Sequence, residues 1–339
     1  MNKYIRWLIR LIGPAILIYF LLTTDINEIV RNLSDLRWGP FLLSLALYPV
    51  FVAVKAWRWN MIMDELGMQA PSLLYSMILY MIGLFLGSAT PGQSGDFIKA
   101  WYLQERGRPL APSLFSILLD RLFDFLIMAL LSLLGLIAFL HLFPPQLQRP
   151  IAITTIGFAV AIALLIPALM ARRPRDWLMN RALRLTPRRA RPPLERWRDQ
   201  FAGLDIRPAP MGKLLLATVC SATSTMVRLW LLFLALDLTN IPIAALVSSM
   251  ALISILQALP ISFSGVGVRD AILIAVLASY GYGPDKALSL SALFLLVNLE
   301  HLLIGFLVSL RYPLGSAPKR DGLVESTPPR TDKQPSINN

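Results

Sequence analysis

Eleven charged residues lie within or beside long apolar runs: Lys55, Arg58, Asp96, Lys99, Asp120, Arg121, Asp124, Arg228, Arg269, Asp270 and Glu300. Charges of both signs in apolar surroundings can do two things. They can neutralise one another as structural ion pairs, or they can line a path for a polar or charged ligand. Asp120 and Asp124 are four residues apart and share one helical face, so a pair with Arg58 or Lys99 and a contact with substrate are both open. Lys55 and Arg58 sit toward one end of their apolar run, where long side chains can also reach the interface. Arg228 is about sixteen residues into its run, too deep for that escape, and Arg269-Asp270 directly follow a glycine-rich break, so these three point to a ligand. Asn298 adds a polar group beside Glu300.

Two breaks accompany these charges. One is Pro91-Gly92-Gln93-Ser94-Gly95-Asp96, and the other runs from Pro260 through Gly265 and Gly267 to Arg269-Asp270. Proline removes a backbone donor and glycine relaxes the helix, so each break leaves N–H and C=O groups unpaired. In a bilayer such groups are tolerated only where protein or a water-lined cavity surrounds them.

The elements that must carry these residues are transmembrane helices. Hydrophobic residues make up 56% of the 339 and charged residues only 15%, well below the charge content of soluble domains. Apolar, Leu-rich runs of about 20 residues recur without alternation, the length of a membrane-spanning helix. Spans are expected at 5–23, 39–63, 111–140, 150–171, 212–236 and 286–311. Shorter apolar segments at 72–90, 241–259 and 266–281 flank the breaks, and an amphipathic stretch covers 94–106. The fold class is an all-α integral membrane bundle, with residues 1–312 as one domain and 313–339 a disordered cytoplasmic tail.

The net charge of +12 is concentrated in loops and tails. Residues 172–210 hold eleven arginines against four acids and read as a cytoplasmic loop with one short helix near 194–201. This placement suits topology and anionic lipid headgroups rather than nucleic acid. The single cysteine, Cys220, lies in an apolar run and reads as a packing residue, so neither an internal disulfide nor a cysteine metal site is expected. His141 and His301 are far apart, and no P-loop is present. No metal, no cofactor and no ATP hydrolysis are called for. No nucleophile–base set stands out, so the chain does not read as an enzyme.

The two sides of the arginine loop repeat one order: a basic residue in a span, an apolar helix, a Pro/Gly break, an acid and a polar long span. Arg58 to Pro91 is 33 residues, and Arg228 to Pro260 is 32. If each pair of short helices, in halves 38–140 and 212–312, is a re-entrant hairpin, every strongly basic segment falls on the cytoplasmic side. Both termini are then cytoplasmic, and the halves have opposite orientation. Inverted repeats with broken helices are a transporter architecture, with the site at the repeat interface.

Pro91-Gly92, Gly95-Asp96, Lys99, Leu103, Gly107 and Asp120-Arg121-Leu122-Phe123-Asp124 resemble the first signature of the lysylphosphatidylglycerol synthase transmembrane region. Pro260, Gly265, Gly267, Arg269 and Asp270 resemble its second, and the resemblance extends over 5–312. Asp96, Asp120 and Asp270 stand where the family pattern has Glu, which keeps the charge and shortens the reach. The resemblance implies a flippase-like domain that moves a lipid or lipid-linked headgroup across the cytoplasmic membrane. The synthase domain and its activity are not expected. Relatives act on aminoacylated phospholipids, polyprenyl-linked sugars and in hopanoid-associated processes, so no single substrate is implied. Headgroup transfer by a membrane enzyme, or a scaffold role in an envelope assembly, are the alternative functions, and a homo-oligomer is compatible with either.

Overall fold

The computed structural model describes residues 34–88, 90–142, 145–186, 195, 211–258 and 268–315. The expected first span at 5–23, the tail beyond 315 and the second break at 259–267 lie outside them. Among the described residues every regular element is helical, and five are long and apolar enough to cross a membrane. The protein is an all-α membrane protein.

The expected span at 39–63 is found as one membrane-crossing stretch, Trp38–Glu65, made of α1 (Trp38–Ala46) and α2 (Tyr48–Glu65) with an irregularity at Leu47. Pro49 sits at the start of α2 and cannot donate to the preceding turn, which accounts for the break at Leu47. Next come α3 (Leu73–Ser88), a 3-10 turn at Pro91–Phe97, α4 (Ile98–Glu105) and α5 (Leu110–Phe139). The chain returns through α6 (Pro145–Met170). The predicted loop opens instead as a helix, α7 (Arg172–Leu185), because its basic and apolar residues recur at helical spacing. The second half comprises α8 (Met211–Ala235), α9 (Ile243–Ala258), α10 (Val268–Ser279) and α11 (Pro284–Arg311). Cys220 is exposed on α8 rather than packed, so its surroundings are those of the outer surface.

At 1.5 Å per residue, α3 and α9 are about 24 Å long, α10 about 18 Å and α4 about 12 Å, all short of the ~30 Å hydrocarbon core. The first break turns the chain back along α3. Gly95 lies against the Leu86 carbonyl so closely that a Cβ would collide with it. The Gly95 amide donates to Thr90 Oγ1 at 2.6 Å, and Gln93 takes φ 55°. Arg108 Nε donates to the Gln69 carbonyl at 2.8 Å, and the Arg106 guanidinium lies 3.5 Å over the Tyr75 ring. The two ends of the α3–α4 hairpin therefore meet. Tyr102 Oη donates to the Tyr312 carbonyl at 2.8 Å, which puts the end of α11 at the same end of the bundle. The start of α1 and the end of α8 lie at the opposite end, joined by Arg37–Asp237 at 3.0 Å. There the Asn240 amide donates to Tyr282 Oη at 3.3 Å, bringing together the two ends of the α9–α10 pair.

The halves exchange partners. α3 packs on α11, and α9 packs on α5. Each contact has a glycine on the long helix. Gly305 of α11 meets the Met81 carbonyl and Phe85 of α3, and Gly135 of α5 meets the Ser248 carbonyl of α9. Gly135 to Gly305 spans the same interval along the chain as Arg58 to Arg228, Gly95 to Gly265 and Lys99 to Arg269. Two apolar cores result. One surrounds Trp59, Leu103 and Phe123, and the other surrounds Phe233, Leu273 and Leu290.

Close approach at these glycines leaves no room for a side chain. Gly305→Val and Gly135→Val are each expected to destabilise the protein by about 1–3 kcal/mol through overpacking. Gly157→Ala, where a Cβ meets nothing within 4 Å, should be neutral or slightly stabilising. Thermal unfolding in detergent measures all three, and an unchanged midpoint for both valine variants would refute the exchanged packing.

Candidate functional site

Helix α2 carries the site. Tyr48, Phe51, Lys55 and Arg58 recur three to four residues apart and so share one stripe, about 15 Å long at helical rise. The deepest element is Arg58, whose side chain is 0% exposed. Its Nε donates to Asp120 Oδ1 at 2.8 Å, its Nη2 to the Asp120 carbonyl at 3.0 Å, and its Nη1 to Asp124 Oδ1 at 2.7 Å. Both carboxylates are on α5, one turn apart, so the guanidinium fork is filled from one helix face. The remaining oxygen of Asp120 accepts from Tyr80 Oη of α3. Lys55 Nζ donates to Asp124 Oδ1 and Oδ2 at 3.1 and 3.0 Å.

A second carboxylate, Asp96 at the end of the 3-10 turn, serves two cations. Lys99 Nζ lies 2.8 Å from Asp96 Oδ2, and Arg121 Nε donates to the same oxygen at 2.9 Å. Arg121 Nη1 also donates to Gln93 Oε1. The Lys99 ammonium sits 3.9 Å over the Tyr80 ring and 4.7 Å from the Trp59 ring, each position favourable for a cation. Asp96 Oδ1 lies against Gly83, where a Cβ would displace it. The four cations Lys55, Arg58, Lys99 and Arg121 thus face three carboxylates, Asp96, Asp120 and Asp124. With every group ionised, cations outnumber carboxylates in this cluster by one.

In the second half Arg228 of α8 is 3% exposed. Its Nη2 donates to Glu300 Oε2 and its Nε to the Ser44 carbonyl at 2.8 Å, while Ser44 Oγ donates to the Arg228 carbonyl at 2.9 Å. Its Nη1 lies 2.9 Å from His301 Nε2, which must be the acceptor because a guanidinium only donates. The His301 ring stacks on Tyr48 at 5.1 Å and on Phe51 at 5.6 Å. The Phe51 ring also lies 5.5 Å from Lys55 Nζ and 5.2 Å from the Arg228 guanidinium. The charges of the two halves therefore meet across one aromatic ring.

Of the residues expected from sequence, Lys55, Arg58, Gly95, Asp96, Lys99, Asp120, Arg121, Asp124, Arg228 and Glu300 belong to this assembly. The choice left open for Asp120 resolves toward Arg58, with Lys99 held by Asp96 instead. Arg228, expected to meet a ligand, has partners from α1 and α11 within the chain. Asn298 is exposed on α11, outside the assembly, because it falls on a different face from Glu300. Pro91 and Gly92 begin the 3-10 turn. Arg269 and Asp270 lie in the first turn of α10, and Pro260, Gly265 and Gly267 lie outside the described residues. Tyr48, Phe51, Trp59, Tyr80, Gly83 and Gln93 were not anticipated. Their spacing relative to Lys55 and Arg58 was the available signal for Tyr48, Phe51 and Trp59.

A polytopic helical bundle with a charged, internally paired centre defines a membrane protein built around a polar interior. The chain matches the lysylphosphatidylglycerol synthase TM region over residues 7–305, and it belongs to that family. It is also 25% identical over 321 residues to a UPF0104 membrane protein of Methanothermobacter thermautotrophicus, covering 84% of this chain and 87% of the relative. No solved structure matches it.

Removing one partner of a buried pair strands the other charge. Arg58→Met should cost about 3–5 kcal/mol, and Asp120→Asn should also be destabilising. The Arg58→Met, Asp120→Asn double variant should cost less than the two singles together, because two buried charges disappear with their pairing. A double-mutant cycle from unfolding in detergent checks this, and additive losses would refute the pairing.

Proposed function

We propose that this protein is a transporter, rather than an enzyme, that moves a lipid or lipid-linked headgroup across the cytoplasmic membrane through the polar interior described above. The observation that carries this reading is the continuous charged assembly spanning both halves, with one cation in excess. A buried unit charge is costly, and an anionic headgroup supplies the missing counter-charge. Arg121 and Asp124 keep 17% and 24% of their side chains exposed, so the assembly is reachable from outside the core. The acyl chains would stay in lipid while the headgroup passes along Lys55, Arg121, Asp124 and Arg228.

The inverted-repeat reading gains support from the exchanged packing of α3 on α11 and α9 on α5. The ends of the two short-helix pairs meet at opposite ends of the bundle, as two re-entrant hairpins of opposite orientation would. Arg106, Arg108, Arg311 and the arginines of α7 gather at the end where the α3–α4 pair opens. The positive-inside tendency makes that end cytoplasmic. With no nucleotide-binding motif in the sequence, the lipid gradient or an ion gradient would drive movement. Membership of the lysylphosphatidylglycerol synthase TM region family supports a lipid-related role.

Reconstitution into vesicles containing fluorescent phosphatidylglycerol, with dithionite added outside, tests the reading. Wild type should expose inner-leaflet lipid to reduction. Arg121→Gln and Arg228→Gln should each slow that exposure by about tenfold or more, the loss expected from one charged hydrogen bond. Wild-type rates in both folded variants would sink the assignment.

A further inference from the structure

Helix α7 has no part in the charged interior, yet it is the most strongly basic helix described. It follows α6 directly: the Arg175 amide donates to the Ala171 carbonyl at 3.1 Å, and the Ala171 amide to the Pro167 carbonyl at 2.9 Å. It therefore begins where a membrane-spanning helix ends. One face packs inward. Arg175 and Leu183 are buried, and Met179 rests against the first apolar core. The other face is exposed and carries Arg173, Trp177, Arg181 and Arg184, spaced at four, four and three residues along one stripe. Trp177 is 63% exposed. The one acid of this helix, Asp176, is half-buried and falls outside that stripe by helical spacing.

An exposed tryptophan ringed by three arginines at the end of a span is poorly matched to bulk water. It is well matched to the headgroup layer, where indole is favoured and anionic phosphates meet the guanidinium forks. We propose that α7 is an interfacial helix that binds anionic phospholipid headgroups through Arg173, Arg181 and Arg184, with Trp177 inserted among them. The occupant is the lipid surface, argued from charge complementarity and from continuity with α6. This site is separate from the translocation path, so it stands or falls independently of it.

The full-length protein reconstituted in phosphatidylcholine vesicles provides the test. A fixed fraction of the lipid is replaced by brominated phosphatidylglycerol or by brominated phosphatidylcholine. The quenching difference between wild type and Trp177→Phe isolates the signal of Trp177. That signal should be quenched severalfold more by the brominated anionic lipid. The preference should fall by up to roughly fivefold per arginine in an Arg173→Gln, Arg181→Gln, Arg184→Gln variant, and raised salt should weaken it in wild type. If the triple variant does not fold, the salt titration of wild type decides. Equal quenching by the two lipids, or a preference indifferent to salt, overturns the proposal. So does a Trp177 that no brominated lipid reaches, whether water or a second copy covers it.

Discussion

The pairing of Arg58 with Asp120 and Asp124 is the constraint on which the rest depends. A guanidinium with 0% exposure in the middle of a membrane bundle is tolerable only if nearly every donor is filled. That demand fixes α5 against α2, since both carboxylates come from α5. It also fixes α3, because Tyr80 closes the last free oxygen of Asp120. Once α3 is held, the hairpin that follows must return along it, and Asp96 and Lys99 arrive beside the same aromatic rings. Apolar packing alone would not specify this arrangement, because lipid chains are as apolar as leucine and offer helices little reason to choose one partner.

Close backbone contact is the second constraint, and it is built from glycine. Gly135 and Gly305 let the short helix of one half press against the long helix of the other. Gly95 lets the first break double back on Leu86, and Gly83 leaves a space that the Asp96 carboxylate fills. Electrostatics decides which helices belong together, and small residues decide how near they come. In membranes the second effect carries much of the association energy, as van der Waals contact replaces the hydrophobic drive.

Much of this was legible in the sequence because lipid leaves few choices. Span positions followed from run length, and the charged candidates were conspicuous against leucine. The nearly equal spacing of Arg58–Pro91 and Arg228–Pro260, 33 and 32 residues, exposed the internal order. What was not legible is instructive. The partners of Arg228, namely Ser44, Glu300 and His301, were not legible because they are distant in sequence. Tyr80 and Trp59 were not anticipated, since their roles as hydrogen-bond donors and cation platforms exist only once α2, α3, α4 and α5 meet. Asn298 looked like a site residue because it neighbours Glu300, but two residues of helix turn a side chain by about 200°. Helix α7 was hidden by arginine content that reads as loop until its four-residue spacing is followed.

The two halves solve one electrostatic problem with different residues. Arg58 and Arg228 occupy corresponding places, and each is neutralised by a carboxylate from the long helix of its own half. Asp120 and Glu300 do not correspond in position, however: Glu300 lies farther along α11 than Asp120 lies along α5. The shared interval holds for Arg58 and Arg228, Lys99 and Arg269, and Gly135 and Gly305, and it fails for Lys55 and Arg121, whose counterparts are Thr225 and Ser291. It fails too for the carboxylates, which need only reach a guanidinium from any turn that faces it. The consequence is unequal charge. The buried cluster of the first half brings four cations to three carboxylates, while Arg228 and Glu300 pair one to one. If the proposed transport cycle rocks two related halves about a common centre, this inequality of charge would give its two access states unequal energies.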